Sequence, residues 1–284
     1  MIGMGDRIAR VFPRITKATP HDELCFYDYP PLLGMPEFEE VHVSVTFTYD
    51  IPKAEDLAEQ WRYVGVPVKV GGFAYNDPGS EFIPGRYLKE GFTITSRGCP
   101  NHCWFCDAWK ISGPGKELLI RDGWIIQDDN LLACSENHIR EVFEMLKRQK
   151  HRPNFSGGLE AKLLKPWHVE LFRSSKPQEM FFAYDTPDDY EPLVEAGKMI
   201  KEAGFTLKSR IPRAYVLMGY PKDTQEAAEK RCVDTLKAGF MPFGMLYTDK
   251  EGNKQKEWHS GWDNIQRRWT RQAIIYSRYK EYFK

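Results

Sequence analysis

From residue 91 to about 250 the chain alternates strand-like and helix-like segments, a pattern that few folds accommodate. Strand candidates are GFTITS (91 to 96), GWIIQDD (123 to 129), PNFSGG (153 to 158), EMFFAY (179 to 184), AYVLMG (214 to 219) and FMPFGMLY (240 to 247). The intervening segments carry helix signals. Ser135 is a candidate N-cap, followed by Ile139, Val142, Phe143 and Leu146 at i, i+3, i+4 and i+7. Asp188 and Glu191 stand at capping-box spacing in a segment that ends on Gly204, a natural residue to follow a helix. The pattern repeats from Asp223 to Gly239, with Asp223 or Thr224 as the cap. Alternation of this kind predicts an α/β fold with a parallel sheet and right-handed crossovers, either doubly wound or curled into a barrel. The order of elements does not choose between them.

Before residue 90 the style differs. Proline-rich text (YPPLLGMPEF, FAYNDPGSEFIPG) surrounds a period-2 strand candidate at 41 to 47, a helix candidate at 53 to 65 and a short apolar run at 66 to 72. The expected organisation is a small α/β segment over 1–90, an α/β unit over 91–250 and a helical extension over 251–284. Forty Lys and Arg balance forty Asp and Glu, so no bulk field draws the chain to nucleic acid or anionic lipid. No segment approaches the roughly 18 apolar residues of a membrane span, and the expected location is the cytoplasm. In a reducing compartment, clustered cysteines bind metal or do chemistry more readily than they form disulfides.

Three of the six cysteines fall within TSRGCPNHCWFCDAW. Cys99, Cys103 and Cys106 have the spacing C-x3-C-x2-C just beyond the first strand of the alternating region, where parallel α/β proteins build their sites. Three thiolates on one loop can hold three irons of a cubane cluster, and Gly98 and Pro100 give the loop a tight backbone. Cys25, Cys134 and Cys232 are scattered, so a fourth iron would lack a protein ligand and stay open to a substrate. The competing reading is a zinc site completed by His102, whose place inside the same loop makes a tetrahedral set hard to close.

The segment GCPNHCWFC resembles the signature of the radical S-adenosylmethionine (SAM) enzymes, C-x3-C-x-aromatic-C, with Phe105 as the aromatic residue. The resemblance extends over about residues 91 to 250. With DDNLL and GYPKDT, the wording is closest to the branch that often carries an N-terminal cobalamin-binding domain, such as methyltransferases and methylthiotransferases. The family implies a partial TIM barrel of six βα units, (βα)6, and an oxygen-sensitive 4Fe-4S cluster on Cys99, Cys103 and Cys106. In that family SAM chelates the open iron, and reductive cleavage yields methionine and a 5′-deoxyadenosyl radical that abstracts hydrogen from substrate. An electron donor such as flavodoxin or ferredoxin is then implied as a partner.

The same resemblance suggests contacts to SAM. Asp128 and Asp129 stand where the family often has a segment meeting the methionine amine, although they also suit a polar strand end. Gly157, Gly158 and Glu160 follow the third strand; Tyr184 and Asp185 end the fourth. Arg213 is a candidate for the SAM carboxylate or for an ordinary ion pair, and Gly219 for backbone access to adenine. Residues 1 to 90 are too few for a complete cobalamin domain and lack an Asp-x-His-x-x-Gly segment, so cobalamin is not expected.

The stretch WDNIQRRWTRQAIIYSRYKEYF mixes basic and aromatic side chains, which can stack on unpaired RNA bases. Ile265, Trp269, Tyr276 and Tyr279 also fall at helical spacing, and one amphipathic helix packed on the barrel is the preferred reading. Cys134 and Cys232 are expected to be buried and inert. The expected function is that of a radical SAM enzyme with an unknown substrate. The rivals are a methyl or methylthio transferase acting on RNA or protein, and a non-catalytic iron-sulfur protein that senses redox state or carries electrons.

Overall fold

The computed structural model describes residues 7–253 and 261–283. Two parallel sheets organise them. The first joins β1 (Ile8–Val11), β2 (Cys25–Phe26), β3 (Glu40–Ser44) and β4 (Val68–Gly71) in the order β2-β1-β3-β4, with helix α1 (Ile51–Arg62) crossing between β3 and β4. α1 buries Ala54, Leu57, Ala58 and Trp61 against Ala9, Val11, Val41 and Val43. Sequence patterning anticipated β3, α1 and β4. It missed β1 and β2, which are four and two residues long and too short to display a period.

The second sheet is larger. Its strands are β5 (Phe92–Thr93), β8 (Ile125–Ile126), β9 (Asn154–Phe155), β10 (Glu179–Ala183), β11 (Pro212–Met218) and β12 (Met241–Leu246), ordered β12-β11-β10-β9-β8-β5 and all parallel. Between β5 and β8 the chain makes a detour through β6 (Ser96–Arg97), helix α2 (Ala108–Ser112) and β7 (Lys116–Glu117), with β6 and β7 forming an antiparallel ribbon. The other crossovers are α3 (Glu136–Lys147), α4 (Pro166–Ser175), α5 (Tyr190–Glu202) and α6 (Gln225–Lys237). Strand order follows chain order across this sheet, as in a barrel wall, and the doubly wound alternative is excluded because that needs a reversal.

Alternate residues of the central strands explain both faces. Met180, Phe182, Ala214, Val216 and Met218 are fully buried beneath the helices. A buried side chain of this size stabilises the fold by about 1.5–3 kcal/mol. On the opposite face Phe181 stacks on Tyr215 with centroids 4.5 Å apart, and Phe243 closes on Tyr215 at 5.8 Å. The barrel interior is therefore filled at mid-height, which leaves the two ends of the strands for function.

Three local expectations change. The strands predicted at 91–96, 123–129 and 153–158 are only two residues long, because the carbonyl of Ile126 takes both the Ser156 amide at 3.1 Å and the Gly157 amide at 3.0 Å, and regular pairing stops there. The capping box before α5 pairs Thr186 with Asp189, not Asp188 with Glu191. Ser135 and Thr224 do cap α3 and α6, and Gly204 and Gly239 follow α5 and α6 with φ near 92° and 93°.

The C-terminal stretch is two helices, α7 (Trp262–Thr270) and α8 (Gln272–Arg278), broken at Arg271. The Thr270 hydroxyl donates to Gln266 O at 2.7 Å inside α7, and α8 restarts in a new register. Trp262, Ile265, Trp269, Ile275 and Phe283 pack on the α6 and β12 side, whereas Tyr276 remains 46% exposed, against the single-helix expectation. Arg268 pairs with Glu229 of α6. Among the described residues, no helix is long and apolar enough to cross a membrane.

Candidate functional site

The cysteine loop leaves the sheet after β5 and returns through α2 and the β6–β7 ribbon. Its geometry begins with Gly98, whose φ of 85° suits glycine; a Cβ there would lie 2.5 Å from Gly113 O. The Cys99 amide donates to that same Gly113 carbonyl at 3.1 Å, so both ends of the loop meet at one point. The Cys106 amide donates to Cys103 O at 3.2 Å, and Asp107 O receives the amides of Lys110 and Ile111 to start α2. Cys99, Cys103 and Cys106 are all free and half-buried. Burial, followed by the neighbouring thiols Cys106 and Cys99, pushes Cys103 up to about 11, and burial also raises Cys106.

Asp128 and Asp129, expected near SAM, are instead turned onto the start of this loop. Asp128 is 1% exposed and accepts from the Thr95 amide at 2.6 Å, the Thr95 hydroxyl at 2.5 Å and the Ser96 hydroxyl at 2.9 Å. Burial raises its pKa against those three bonds. Asp129 accepts from the Gly98 amide at 2.7 Å and lies 3.6 Å from Arg97. The pair clamps the loop to the end of β8. Gly157 supports that clamp from behind, since a Cβ there would sit 2.1 Å from Asp128 O.

The next residue lies in the DDNLL segment, but nothing in the sequence gives it a role. Asn130 is 5% exposed, and its Nδ2 lies 2.7 Å from Glu160 Oε2 and 3.5 Å from Cys99 Sγ. Glu160 is thus brought to the cysteine loop through Asn130. Gly158, also predicted, lies beside them with open space where a side chain would be. Asp185 reaches the same mouth: it accepts the Leu217 amide at 3.0 Å, and burial pushes its carboxyl up to about 7. Asp185 and Asp189 both act electrostatically on Cys103.

Other predicted residues go elsewhere. Tyr184, just past β10, is 5% exposed in the core beneath the helices, 5.6 Å from the ring of Tyr190, and continues the alternation that points Met180 and Phe182 the same way. Arg213 lies at the opposite end of β11 from the loop. It is 2.6 Å from Glu179 and sits over Phe181 and Phe243 at 4.6 and 5.2 Å, a buried ion pair with aromatic walls rather than a carboxylate site for SAM. The Gly219 amide donates to Asp223 Oδ2 at 2.8 Å, and Asp223 is held in turn by Arg231 at 2.7 Å. Cys232 is fully buried as expected; Cys134 is only half-buried.

Aromatic residues close the loop over the mouth. Phe105 packs edge-on to Trp104 at 5.4 Å, and Trp104 reaches Tyr220 at 5.5 Å and Tyr247 at 5.6 Å, just past the ends of β11 and β12. A loop that starts at one edge of the open sheet thus ends against the other. His102 is exposed and meets the edge of Trp109 at 4.5 Å. Among the described residues, no three His, Cys, Asp or Glu side chains converge as one metal ion requires. A zinc set is not assembled; a cubane makes no such demand, because each thiolate binds a different iron.

A groove of about 680 Å³ lies far from this site, among Lys147, Lys150, His151, Arg152 and Lys176 at the other end of the strands. α3 and α4 end there, and cations at helix C-termini offset the negative ends of the dipoles. At the carboxyl ends of β1 and β3, the crevice of the first sheet measures about 40 Å³.

No family profile and no curated protein sequence matches the chain. A solved structure does resemble it: the radical SAM methyltransferase TsrM from Kitasatospora setae, determined with cobalamin and a [4Fe-4S] cluster bound. The TM-score is 0.52 at 11% identity, over 74% of this chain and 64% of that one. The shared fold is the radical SAM type of TIM-like barrel. This chain spans less than two thirds of the length of TsrM, and the likeness speaks to fold alone.

Proposed function

We propose that this protein is a radical SAM enzyme. The observation that carries the reading is the donor set: three free thiols on one clamped loop at the mouth of a barrel of the radical SAM type. Thiol sulfur suits iron-sulfur clusters, and the buried Asn130 Oδ1 at the same mouth has no partner among the described residues, which leaves an acceptor for a bound donor group. Cys99, Cys103 and Cys106 would hold the cluster. When bound, a cluster of this kind supplies one electron to SAM, which breaks to methionine and a 5′-deoxyadenosyl radical able to abstract hydrogen from a substrate.

The chain's own residues then have defined tasks. Asp128 and Asp129 fix the loop, so the thiols keep their positions while iron binds. Trp104 and Phe105 tie the loop to Tyr220 and Tyr247 at the far edge of the sheet. Gly158, Glu160 and Asp185 line the mouth where SAM would bind. The unit over residues 91–250 carries the chemistry, in the cytoplasm, with reduction by an external donor.

Methyl transfer is the second reading, favoured by the activity of the structural neighbour, a radical SAM methyltransferase. The crevice of the first sheet lies at the carboxyl ends of β1 and β3. Arg14 closes it with a two-point ion pair to Asp50, both contacts at 2.7 Å. Adding SAM to the reduced, reconstituted protein should change the electron paramagnetic resonance (EPR) signal of the cluster. An unchanged signal from a fully loaded cluster would favour the electron-carrier rival.

A further inference from the structure

We infer that Asn130 is a positioning residue that sets the reduction potential of the cluster, by donating a hydrogen bond from Nδ2 to Cys99 Sγ. The inference rests on the assignment of the three cysteines to an iron-sulfur cluster. It goes further in giving a task to a residue outside the cysteine motif.

The geometry fixes which way the amide faces. Glu160 offers only acceptors when ionised, and its Oε2 lies 2.7 Å from Asn130 Nδ2, so the NH2 group must point towards Glu160. The same nitrogen is 3.5 Å from Cys99 Sγ, within hydrogen-bonding range for sulfur. The amide oxygen is left facing the other way, buried without a partner among the described residues. Leaving a buried acceptor unmet is unfavourable, so the donors must hold this orientation against that cost. Asn130 is 5% exposed, and its two predecessors are tied to the loop by four hydrogen bonds of 2.5 to 2.9 Å. Donor and sulfur therefore belong to one rigid unit.

Among the described residues, Cys99 is the cysteine of the three whose sulfur meets a side-chain amide donor. One-electron reduction adds negative charge to a cluster and its thiolates. An N–H dipole aimed at one of those sulfurs stabilises the reduced form more than the oxidised form, and more strongly where water is excluded. The bond raises the potential; its loss lowers it. Glu160 acts one step back by preventing the amide from turning over.

The test is an anaerobic redox titration of the reconstituted full chain with titanium(III) citrate as reductant, read by EPR. At the solution potential where half of the wild-type cluster is reduced, Asn130→Ala should shift the ratio of reduced to oxidised cluster about tenfold towards oxidised, equivalent to about 59 mV for one electron. Asn130→Asp keeps the shape, removes the donor and adds charge, so its shift should exceed that of Ala. If Asn130→Ala fails to load iron, the near-isosteric Asp variant decides. Loaded Ala or Asp variants that titrate with the wild type overturn the inference and leave the functional assignment standing. A wild-type protein that binds no cluster overturns both, and does so before any variant is made.

Discussion

The two parallel sheets offer the same address for a site, the carboxyl ends of their strands, and use it in opposite ways. In the first sheet the address is filled from within: the buried Asp50 carboxylate stands at the start of α1 and is paired by Arg14, leaving about 40 Å³. In the second the carboxylates are turned outward onto a loop. Asp128 and Asp129 spend their hydrogen bonds on the backbone and hydroxyls before Cys99, and three free thiols are the result. Topology supplies a place for chemistry in both sheets. In one sheet a carboxylate is paired at that place; in the other, carboxylates brace a cysteine loop across it.

The largest break in this contrast should come from Asp128→Ala. It strands two hydroxyls and an amide that all point at a fully buried site, a cost of about 3 kcal/mol or more. Denaturant unfolding should report that loss, and iron loading should fall with it. An unchanged midpoint and full loading would remove the clamp from the account.

Asp185 gives a smaller effect with a definite sign. Its folded-state pKa near 7 lies above the ordinary carboxylate value, so the folded chain holds a proton that the unfolded chain has released. Stability from this group is present at acid pH and declines between about pH 4 and 7. Asp185→Asn keeps an acceptor for the Leu217 amide and removes the charge. Thermal melts should then find the variant more stable than wild type at pH 8, with the difference vanishing near pH 4. A constant difference across that range would contradict the assignment of the burial effect.

The smallest change belongs to the closed site. Arg14 is half exposed, so Arg14→Ala should cost only about 1 kcal/mol through the buried Asp50 it leaves behind. The same variant should load iron like wild type. Reduced loading would mean that the first sheet is not the passive partner described here.

Much of the second sheet was legible because α/β alternation writes itself in apolar periods, as Ile139, Val142, Phe143 and Leu146 do on α3. The cysteine motif was legible because its spacing is local. Side-chain direction was not. Tyr184 and Asp185 are adjacent, yet one goes to the core and the other to the mouth, because successive strand residues face opposite ways. Arg213, left open in the sequence between SAM and an ion pair, is found at the amino end of β11 and paired with Glu179, a partner 34 residues away that the sequence does not mark. Asn130 left no trace because its partners, Cys99 and Glu160, are 31 and 30 residues away and meet it only in the folded chain.

The central claim is radical initiation at the three-cysteine loop. The most direct measurement reconstitutes the protein anaerobically with iron and sulfide, reduces it, adds SAM and follows 5′-deoxyadenosine by mass spectrometry, with Cys103→Ala in parallel. 5′-Deoxyadenosine is expected from the wild type and none from the variant. A fully loaded, reducible wild-type cluster that forms none would contradict the claim.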